Sequence, residues 1–222
     1  MIANEIKILL LKEIKLEWRQ KFALNGIVLY LASTIFTVYL SVNVKIGVLA
    51  PQTWNALFWI IILFTAVNAM AKSFILENSG RMLYYYSISR PQSFILAKII
   101  YNGGLMILLS SLGYLIFAII LNNPVKDILL FFLNVSLASI AFATTLTMIS
   151  AIAAKANNSH TLMTILSLPV IIPILLMVIR ISGNAIAGMA RSASSGDLLT
   201  LAALIVMIGT AAYILFPYLW RS

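Results

Sequence analysis

The acid–base residues of this sequence are too few and too scattered to form a catalytic site. His160 is the only histidine, and a Ser-His-Asp set would have to join it to Asp127 or Asp197. Such a set works only when nucleophile, base and orienting acid lie within hydrogen-bonding reach of one another. The topology derived below puts both aspartates on the opposite side of a membrane from His160. We therefore predict no catalytic residues, and no enzyme in this chain by itself.

Metal, haem and nucleotide motifs are missing from the sequence as well. The chain has no cysteine, which excludes disulfides and thiolate-bound metals. Haem iron often takes an axial histidine, but His160 lies in a short polar break with no second histidine nearby. No P-loop, HExxH or GxGxxG pattern occurs. We expect no metal site and no cofactor bound by this chain.

One long polar stretch does combine positive charge with helix-breaking residues. It runs from Lys72 to Lys98 and reads KSFILENSGRMLYYYSISRPQSFILAK, between two apolar runs. A short helix displayed between two membrane spans would offer a docking site to a soluble partner. The residues predicted to serve this role are Glu77, Gly80, Arg81, Arg90, Pro91 and Lys98.

The composition excludes a water-soluble globule. Of the 222 residues, 62% are hydrophobic and 9% are charged, and the mean hydropathy is +1.04. A soluble domain has about 25% charged residues. The net charge of +9 has no basic domain to carry nucleic-acid binding, so we expect no nucleic-acid partner. The class is a polytopic membrane protein in contact with membrane lipid.

Six apolar runs are long enough to span a bilayer, which takes about 20 helical residues. They cover residues 23–43, 54–74, 99–121, 128–153, 161–180 and 198–219. The sequence thus predicts an all-α fold with six transmembrane helices in a single domain over residues 1–222. Residues 181–197 are predicted to be a connection rich in small residues. Trp54 and Trp59 open the second span and are typical of an interfacial aromatic belt.

The N-terminal segment, residues 1–22, is predicted to be an amphipathic helix. Apolar residues that recur near one face of a 3.6-residue period are Ile6, Leu9, Leu10, Ile14 and Trp18. The helix either lies in the membrane interface with this face down or packs on the protein. We favour the interfacial position. The pattern of a cleavable signal peptide is not present.

The distribution of lysine and arginine predicts the orientation. Six spans put four of these residues on one side, Lys45, Lys126, Arg180 and Arg191, and leave the other eleven of 15 on the opposite side. The positive-inside rule then places both termini and the loop 75–98 in the cytoplasm.

The fifth span contains two prolines, Pro169 and Pro173, in the sequence LPVIIP. Each removes one backbone hydrogen bond, and spacing by four puts them on one helix face. They predict either a simple kink or a hinge that faces a dimer interface or a substrate cavity.

Polar residues inside the spans favour packing between helices over a substrate path, because small and hydroxyl side chains let membrane helices approach. These residues are Asn68, Asn134, Ser136, Ser139, Thr144, Thr145, Thr147 and Ser150. None of the spans contains an ionisable residue away from its ends, which speaks against ion-coupled transport.

Three stretches resemble the CcmB family, the permease subunit of the cytochrome c maturation ABC transporter, also called haem exporter protein B. The stretch KEIKLEWRQK (Lys12–Lys21) is similar to that family's entry helix, and Glu77–Lys98 is similar to its loop. The most specific match is LPVIIP (Leu168–Pro173), which resembles an LPxxIP signature.

The resemblance implies an ABC-2-type, type V exporter-like membrane domain in the bacterial inner membrane, present as a homodimer in a larger complex. It implies a separate CcmA-like ATPase, CcmC- and CcmD-like subunits that handle haem, and a CcmE-like haem chaperone. ATP would be bound by the ATPase and haem by other subunits. The complex would export haem or release the loaded chaperone. The alternatives are an ABC-2 permease for a lipid, polymer or drug, and an assembly scaffold that transports nothing.

Overall fold

Helices account for almost all of the described chain in this computed structural model. The structure describes residues 2–19, 21–45, 49–75, 89–154 and 159–221. In order, the elements are α1 (Ile2–Arg19), α2 (Lys21–Lys45), α3 (Pro51–Ile75), α4 (Pro91–Ile120), α5 (Ile128–Ala153), α6 (Ser159–Ala187), a 3₁₀-helix (Arg191–Ser194) and α7 (Ser195–Arg221). No strand occurs in these described ranges, so the all-α prediction is confirmed.

Six of the helices are long and apolar enough to cross a membrane. The spans are Asn25–Val42, Pro51–Ala71, Pro91–Ile120, Ile128–Ala153, Thr161–Ala187 and Arg191–Leu219. The protein is therefore a multi-pass membrane protein, as the hydropathy pattern predicts. α1 is different, because charged residues alternate with apolar ones along its whole length.

Helix α5 lies at the centre of the bundle. Within its span 61% of the residues are buried, against 11% in the span that contains α7. It packs against α3, α4, α6 and α7. Small residues make this position possible, since Ala138, Ala141 and Ala143 are buried at helix contacts.

Two helices extend beyond the predicted spans. α4 begins at Pro91, two turns before the expected start at residue 99, and α6 continues to Ala187 instead of ending near residue 180. Residues 181–187 are thus helical, and the connection predicted over 181–197 is shorter than expected. A hydropathy window detects only the apolar residues that fit the thickness of the bilayer. The helix itself can continue past this apolar run until the backbone leaves the helical conformation.

Aromatic side chains fill the bundle near the loop 121–127. The ring of Trp54 lies 4.9 Å from that of Phe117 and 5.7 Å from that of Phe58. Trp54 and Trp59 are 1% and 0% exposed, so the prediction of an interfacial belt is wrong for both. The Trp59 indole donates a hydrogen bond to Ser182 Oγ at 2.8 Å, which satisfies its N–H inside the protein.

Polar residues within the spans join neighbouring helices. Asn102 of α4 donates to Thr147 Oγ1 of α5 at 2.7 Å. Ser139 of α5 donates to Ser110 Oγ of α4 at 3.0 Å. All four side chains are buried, which supports the packing interpretation over a polar path. Asn68 differs from them, because it is exposed on the outside of α3.

Candidate functional site

The predicted docking residues divide into two groups. Glu77, Gly80 and Arg81 lie outside the described residues. Arg90, Pro91 and Lys98 lie at the start of α4, where Arg90 is the N-cap residue and Pro91 opens the helix. Proline suits this first position because its missing N–H would have no helical partner there. Pro91 therefore fixes where the polar stretch ends and α4 begins.

Helix α1 packs alongside the first turns of α4 through its carboxylates. Ser93 donates a hydrogen bond to Glu5 Oε2 at 2.8 Å, and Arg90 Nε lies 3.9 Å from Glu5 Oε1. Farther along, Tyr101 donates a hydrogen bond to Glu17. Glu5 and Glu17 thus bracket a contact in which the two helices run in the same direction.

The centre of this contact is an ion pair at Lys98. Its Nζ atom lies 3.6 Å from Glu13 Oε1, and Lys12 Nζ lies 3.0 Å from the same oxygen. The Lys98 side chain is only 2% exposed, so its charge faces α1 instead of a soluble partner. Both ammonium groups also lie over the ring of Phe94, at 5.3 Å and 5.5 Å from its centroid. Lys98 therefore fastens α4 to α1, and of the described docking residues Arg90 is the exposed cation.

An apolar cluster beneath this ion pair joins four helices. Its buried residues come from α1, α4, α5 and α7, and they are Leu9, Phe94, Ile95, Ala97, Ala151, Ala212 and Phe216. The rings of Phe94 and Phe216 stack with centroids 6.1 Å apart. These residues form a cluster separate from the main core of the bundle. We call the cluster and the ion pair together the α1-end site.

The chemical groups of the α1-end site suit a packing contact that holds helices together. Its groups are carboxylates, cations and packed apolar side chains, and among the described residues no cluster of metal-ligating side chains occurs. The packed cluster therefore links the start of α4 to the end of α5 and the end of α7, and closely packed interiors transmit strain.

The two prolines of α6 lie on an exposed face. Pro169 and Pro173 are both exposed, and so are the large side chains around them, such as Leu168 and Ile172 at 53% and 51%. The backbone groups that these prolines leave unpaired belong to Ile165 and Pro169, on the same side of the helix. Within one copy of the chain this face is not covered by the described residues.

By contrast, the final third of α6 is held by two asparagines. Asn134 of α5 donates to the carbonyl of Val178 at 2.9 Å, and Asn55 of α3 donates to the carbonyl of Ile179 at 2.9 Å. Ser182 then donates to Asn55 Oδ1 at 2.7 Å. α6 is thus anchored by hydrogen bonds on the C-terminal side of its prolines, and its surface around the prolines is exposed.

A bidentate ion pair closes the bundle near the start of α5. Arg191 donates to both carboxylate oxygens of Asp127, at 2.6 Å and 3.0 Å. Asp127 also caps α5, since it accepts from the backbone N–H of Leu130 at 3.1 Å. The hydrogen bond from Arg191 and then that from Leu130 hold the pKa of Asp127 below its ordinary value.

Beside this ion pair a cleft of about 450 Å³ opens between the start of α3 and the end of α6. Polar groups from Gln52, Asn55 and Lys126 line it together with apolar side chains. Lys126 lies against the 187–188 turn, where its Nζ donates to the carbonyl of Ala187 at 3.4 Å. Gly188 has a φ of +73°, a left-handed conformation that glycine adopts without steric cost.

Sequence reasoning missed the acidic residues of α1 and one of the two asparagines that hold α6, Asn55, whereas the packing role predicted for Asn134 is confirmed. The spacing of Glu5, Glu13 and Glu17 could have indicated a row of carboxylates along one side of a helix. Asn55 and Asn134 stand in apolar runs, where an amide must find a partner. His160, the one candidate haem ligand, lies in the first turn of α6.

Fold and site together define a multi-pass, all-α membrane protein with a junction of helix ends on one side and a polar-lined cleft on the other. A family model supplies the particular relationship: the model of the CcmB protein matches residues 4–217. The chain belongs to the CcmB family, and it is accordingly a membrane permease subunit of the haem exporter ABC transporter of cytochrome c biogenesis. A search of the curated proteins finds no match.

Proposed function

We propose that a CcmA-like ATPase subunit docks at the α1-end site and that the start of α4 receives its motion. The single observation that carries this proposal is the packing of Pro91–Lys98 into a cluster that joins four helices. A push on Arg90 or on the adjacent polar stretch would move α1, α5 and α7 together. ATP binding and hydrolysis then belong to the partner, and this chain converts their cycle into a change across the membrane.

The direction of that change follows from the positive-inside rule. Both termini and the α1-end site lie on the cytoplasmic side of the bacterial inner membrane, where an ATPase finds ATP. The 450 Å³ cleft, the Asp127–Arg191 pair and residues 181–197 then face outward. At that outer face the complex exports haem or releases a haem-loaded CcmE-like chaperone, with CcmC- and CcmD-like subunits handling the haem.

A second copy of this chain would cover the proline face of α6. Free carbonyls in hydrocarbon need partners, and the exposed aliphatic side chains around Pro169 and Pro173 offer a contact surface. A homodimer would place two such hinges side by side, in the manner of an ABC-2-type membrane domain. Since the chain has no native cysteine, single cysteines report directly on this contact.

The dimer test compares Leu168→Cys on α6 with Val206→Cys on α7, which are 53% and 67% exposed. Under mild oxidation in membranes, L168C should form a disulfide-linked dimer, and V206C should stay monomeric. Equal cross-linking of both variants would show random collision and remove the support for this interface.

The docking proposal is tested by co-purification with the ATPase subunit. Charge reversal at Arg81 and Arg90 (R81E/R90E) should abolish recovery of the ATPase, because both cations belong to the proposed docking surface. The matched control is K126E/R180E, which reverses two exposed cations at the other end of the bundle. Equal recovery of the ATPase with both double variants would show that docking occurs elsewhere.

Two alternatives predict different results in the same system. A scaffold that only holds the maturation complex together would keep cytochrome c levels normal when the ATPase partner is catalytically dead. A permease for a lipid, polymer or drug would co-purify with an ATPase but without haem-handling subunits. The inactive ATPase partner and the co-purified subunits together therefore separate the three functions.

A further inference from the structure

The cleft between the start of α3 and the end of α6 is lined by one cation and mostly apolar groups. Among the described residues that line it, Lys126 is the one charged side chain, and the rest are amides, prolines, glycine and aliphatic residues. Its volume of about 450 Å³ lies in the range of small-molecule sites. An apolar recess beside a single ammonium group suits a ligand that has an apolar body and one negative charge.

The described carboxylates at this end of the bundle are engaged by arginines. Arg191 donates to both oxygens of Asp127, and Arg180 Nη1 lies 3.7 Å from Asp197 Oδ1. Neither acid lines the cleft. Within the described part of the chain, the charge of Lys126 is therefore not matched by a carboxylate.

The turn at residues 187–188 holds the Lys126 side chain in place. A Cβ atom at Gly188 would lie 3.0 Å from Lys126 Cδ, so glycine is the residue that lets the stem pack this closely. The Lys126 ammonium donates to the carbonyl of Ala187 at 3.4 Å. This bond uses one of its three N–H donors and leaves two for a ligand.

Hydrogen bonds between α3 and α6 fix the walls of the cleft. The Asn55 side chain donates to the carbonyl of Ile179 at 2.9 Å and accepts from Ser182 at 2.7 Å. Gly183 forms part of the α6 wall, where a larger side chain would take up space in the recess. A site whose walls are already in position loses less free energy to ordering when a ligand binds.

We propose that this cleft binds an amphipathic carboxylate. The carboxylate would accept from the Lys126 ammonium, with the Gln52 amide as a second donor, and the apolar body would lie against Ile179 and Ile186. This ligand site goes beyond the proposed function and rests on it only for the position of the cleft at the outer side of the membrane.

The charge of the lining selects this class of ligand. A cationic amphipath would be repelled by Lys126, and a neutral one would gain nothing from its charge. A phosphate monoester carries more negative charge than one ammonium group neutralises. Carboxylates of this kind occur on flexible chains, as in fatty acids, and on rigid rings, as in porphyrins, and the test separates these two sources.

The test uses the full-length chain alone in phosphatidylcholine nanodiscs, without an ATPase or haem-handling subunits. Ala187 lines the cleft and is exposed, and A187C supplies a single cysteine in a chain that has none. The rate of labelling by a small neutral maleimide is measured with added decanoate, decanamide or free protoporphyrin. Half protection should need about tenfold less decanoate than decanamide, the factor in affinity that one charge-assisted hydrogen bond contributes. Protection by protoporphyrin and not by decanoate would make the rigid-ring carboxylate the ligand.

Three variants identify the cause of the protection. In the A187C background, K126Q should raise the concentration of decanoate for half protection about tenfold, and K126R should restore it. R180Q removes an exposed cation that does not line the cleft, so protection should persist. A193C places a cysteine at another exposed alanine outside the lining, and its labelling should not respond to decanoate.

Several results would overturn the proposal. One is the lack of protection of A187C by both decanoate and protoporphyrin. Equal protection by decanoate and decanamide would show that the cleft does not recognise the anion, and equal protection of A193C would show an effect on the whole surface. Unchanged protection in K126Q would remove the assigned cation. None of these results depends on ATPase docking, so this proposal and the docking proposal fail separately.

Discussion

Glu13 of α1 and Lys98 of α4 approach to 3.6 Å with the lysine side chain only 2% exposed. A buried ammonium group is costly unless an anion and hydrogen-bond acceptors surround it. The carboxylate of Glu13 also lies 3.0 Å from Lys12, so one acid stands between two cations. This arrangement fixes the position of α1 relative to the start of α4, and the coupling proposal depends on it.

Removal of the Glu13 charge should destabilise the protein more than removal of the Glu5 charge. E13Q removes the carboxylate charge that lies 3.6 Å from the buried Lys98 ammonium group, and we expect a loss of about 2 kcal/mol in the free energy of unfolding. E5Q affects a pair whose arginine side chain is 57% exposed, and we expect about 0.5 kcal/mol. Unfolding of the purified chain in detergent measures both values.

The double variant E13Q/K98M is the control for the buried charge. An apolar replacement of similar length removes the ion that needs compensation, so most of the stability lost in E13Q should return. If E13Q/K98M were less stable than E13Q by the full cost of K98M, the two residues would not be coupled.

The asparagines that hold α6 should contribute measurably to the stability of the bundle. N55L and N134L each remove an amide that donates to an α6 carbonyl, and each should cost about 1 kcal/mol. Asn68 offers a matched control, because it is an asparagine in a span but is exposed. N68L should leave the free energy of unfolding unchanged or raise it. An equal loss in all three variants would mean that the interhelical bonds of Asn55 and Asn134 contribute nothing.

The Asp127–Arg191 pair should make stability depend on pH in the acid range. The folded-state pKa of Asp127 is held below its ordinary value, so the ionised form is the one that folding favours. Its contribution is therefore complete above the unfolded-state pKa of about 3.9 and is lost as the pH falls towards the lower folded-state pKa. D127N should remove this part of the pH dependence. Thermal unfolding from pH 6 to pH 3 measures it, and identical profiles for wild type and D127N would contradict the assignment.

The prolines of α6 should matter for transport more than for folding. P169A and P173A restore backbone N–H donors and straighten the helix, so the chain should fold while cytochrome c maturation falls several-fold. Val206 of α7 is the control, because its side chain is 67% exposed and lies outside the proposed dimer contact. V206A should mature cytochrome c at the wild-type level. Normal maturation in P169A and P173A would show that these prolines are tolerated in the helix and have no role in transport.

Hydropathy was sufficient to predict the class and the six spans, because bilayer length imposes about 20 apolar residues on each helix. It could not predict that α4 starts at Pro91, since the added turns carry Ser93 and Lys98 and score as polar. Nor could it orient α1. The pairing of Glu13 with Lys98 joins distant parts of the sequence, and it is this pairing that turns Ile14 outward and Leu9 inward. The role of Glu77, Gly80 and Arg81 in docking stays a prediction, because these residues lie outside the described ranges.

The most direct measurement is the amount of cytochrome c matured per ATP hydrolysed by the assembled complex. E13Q loosens the start of α4 without changing the proposed docking cations, so the ATPase should still co-purify and hydrolyse ATP. The yield of mature cytochrome per ATP should then fall several-fold. N68L, at an exposed position of α3, should keep the wild-type yield per ATP. A wild-type yield in E13Q would contradict the proposal that motion passes from the ATPase through the start of α4.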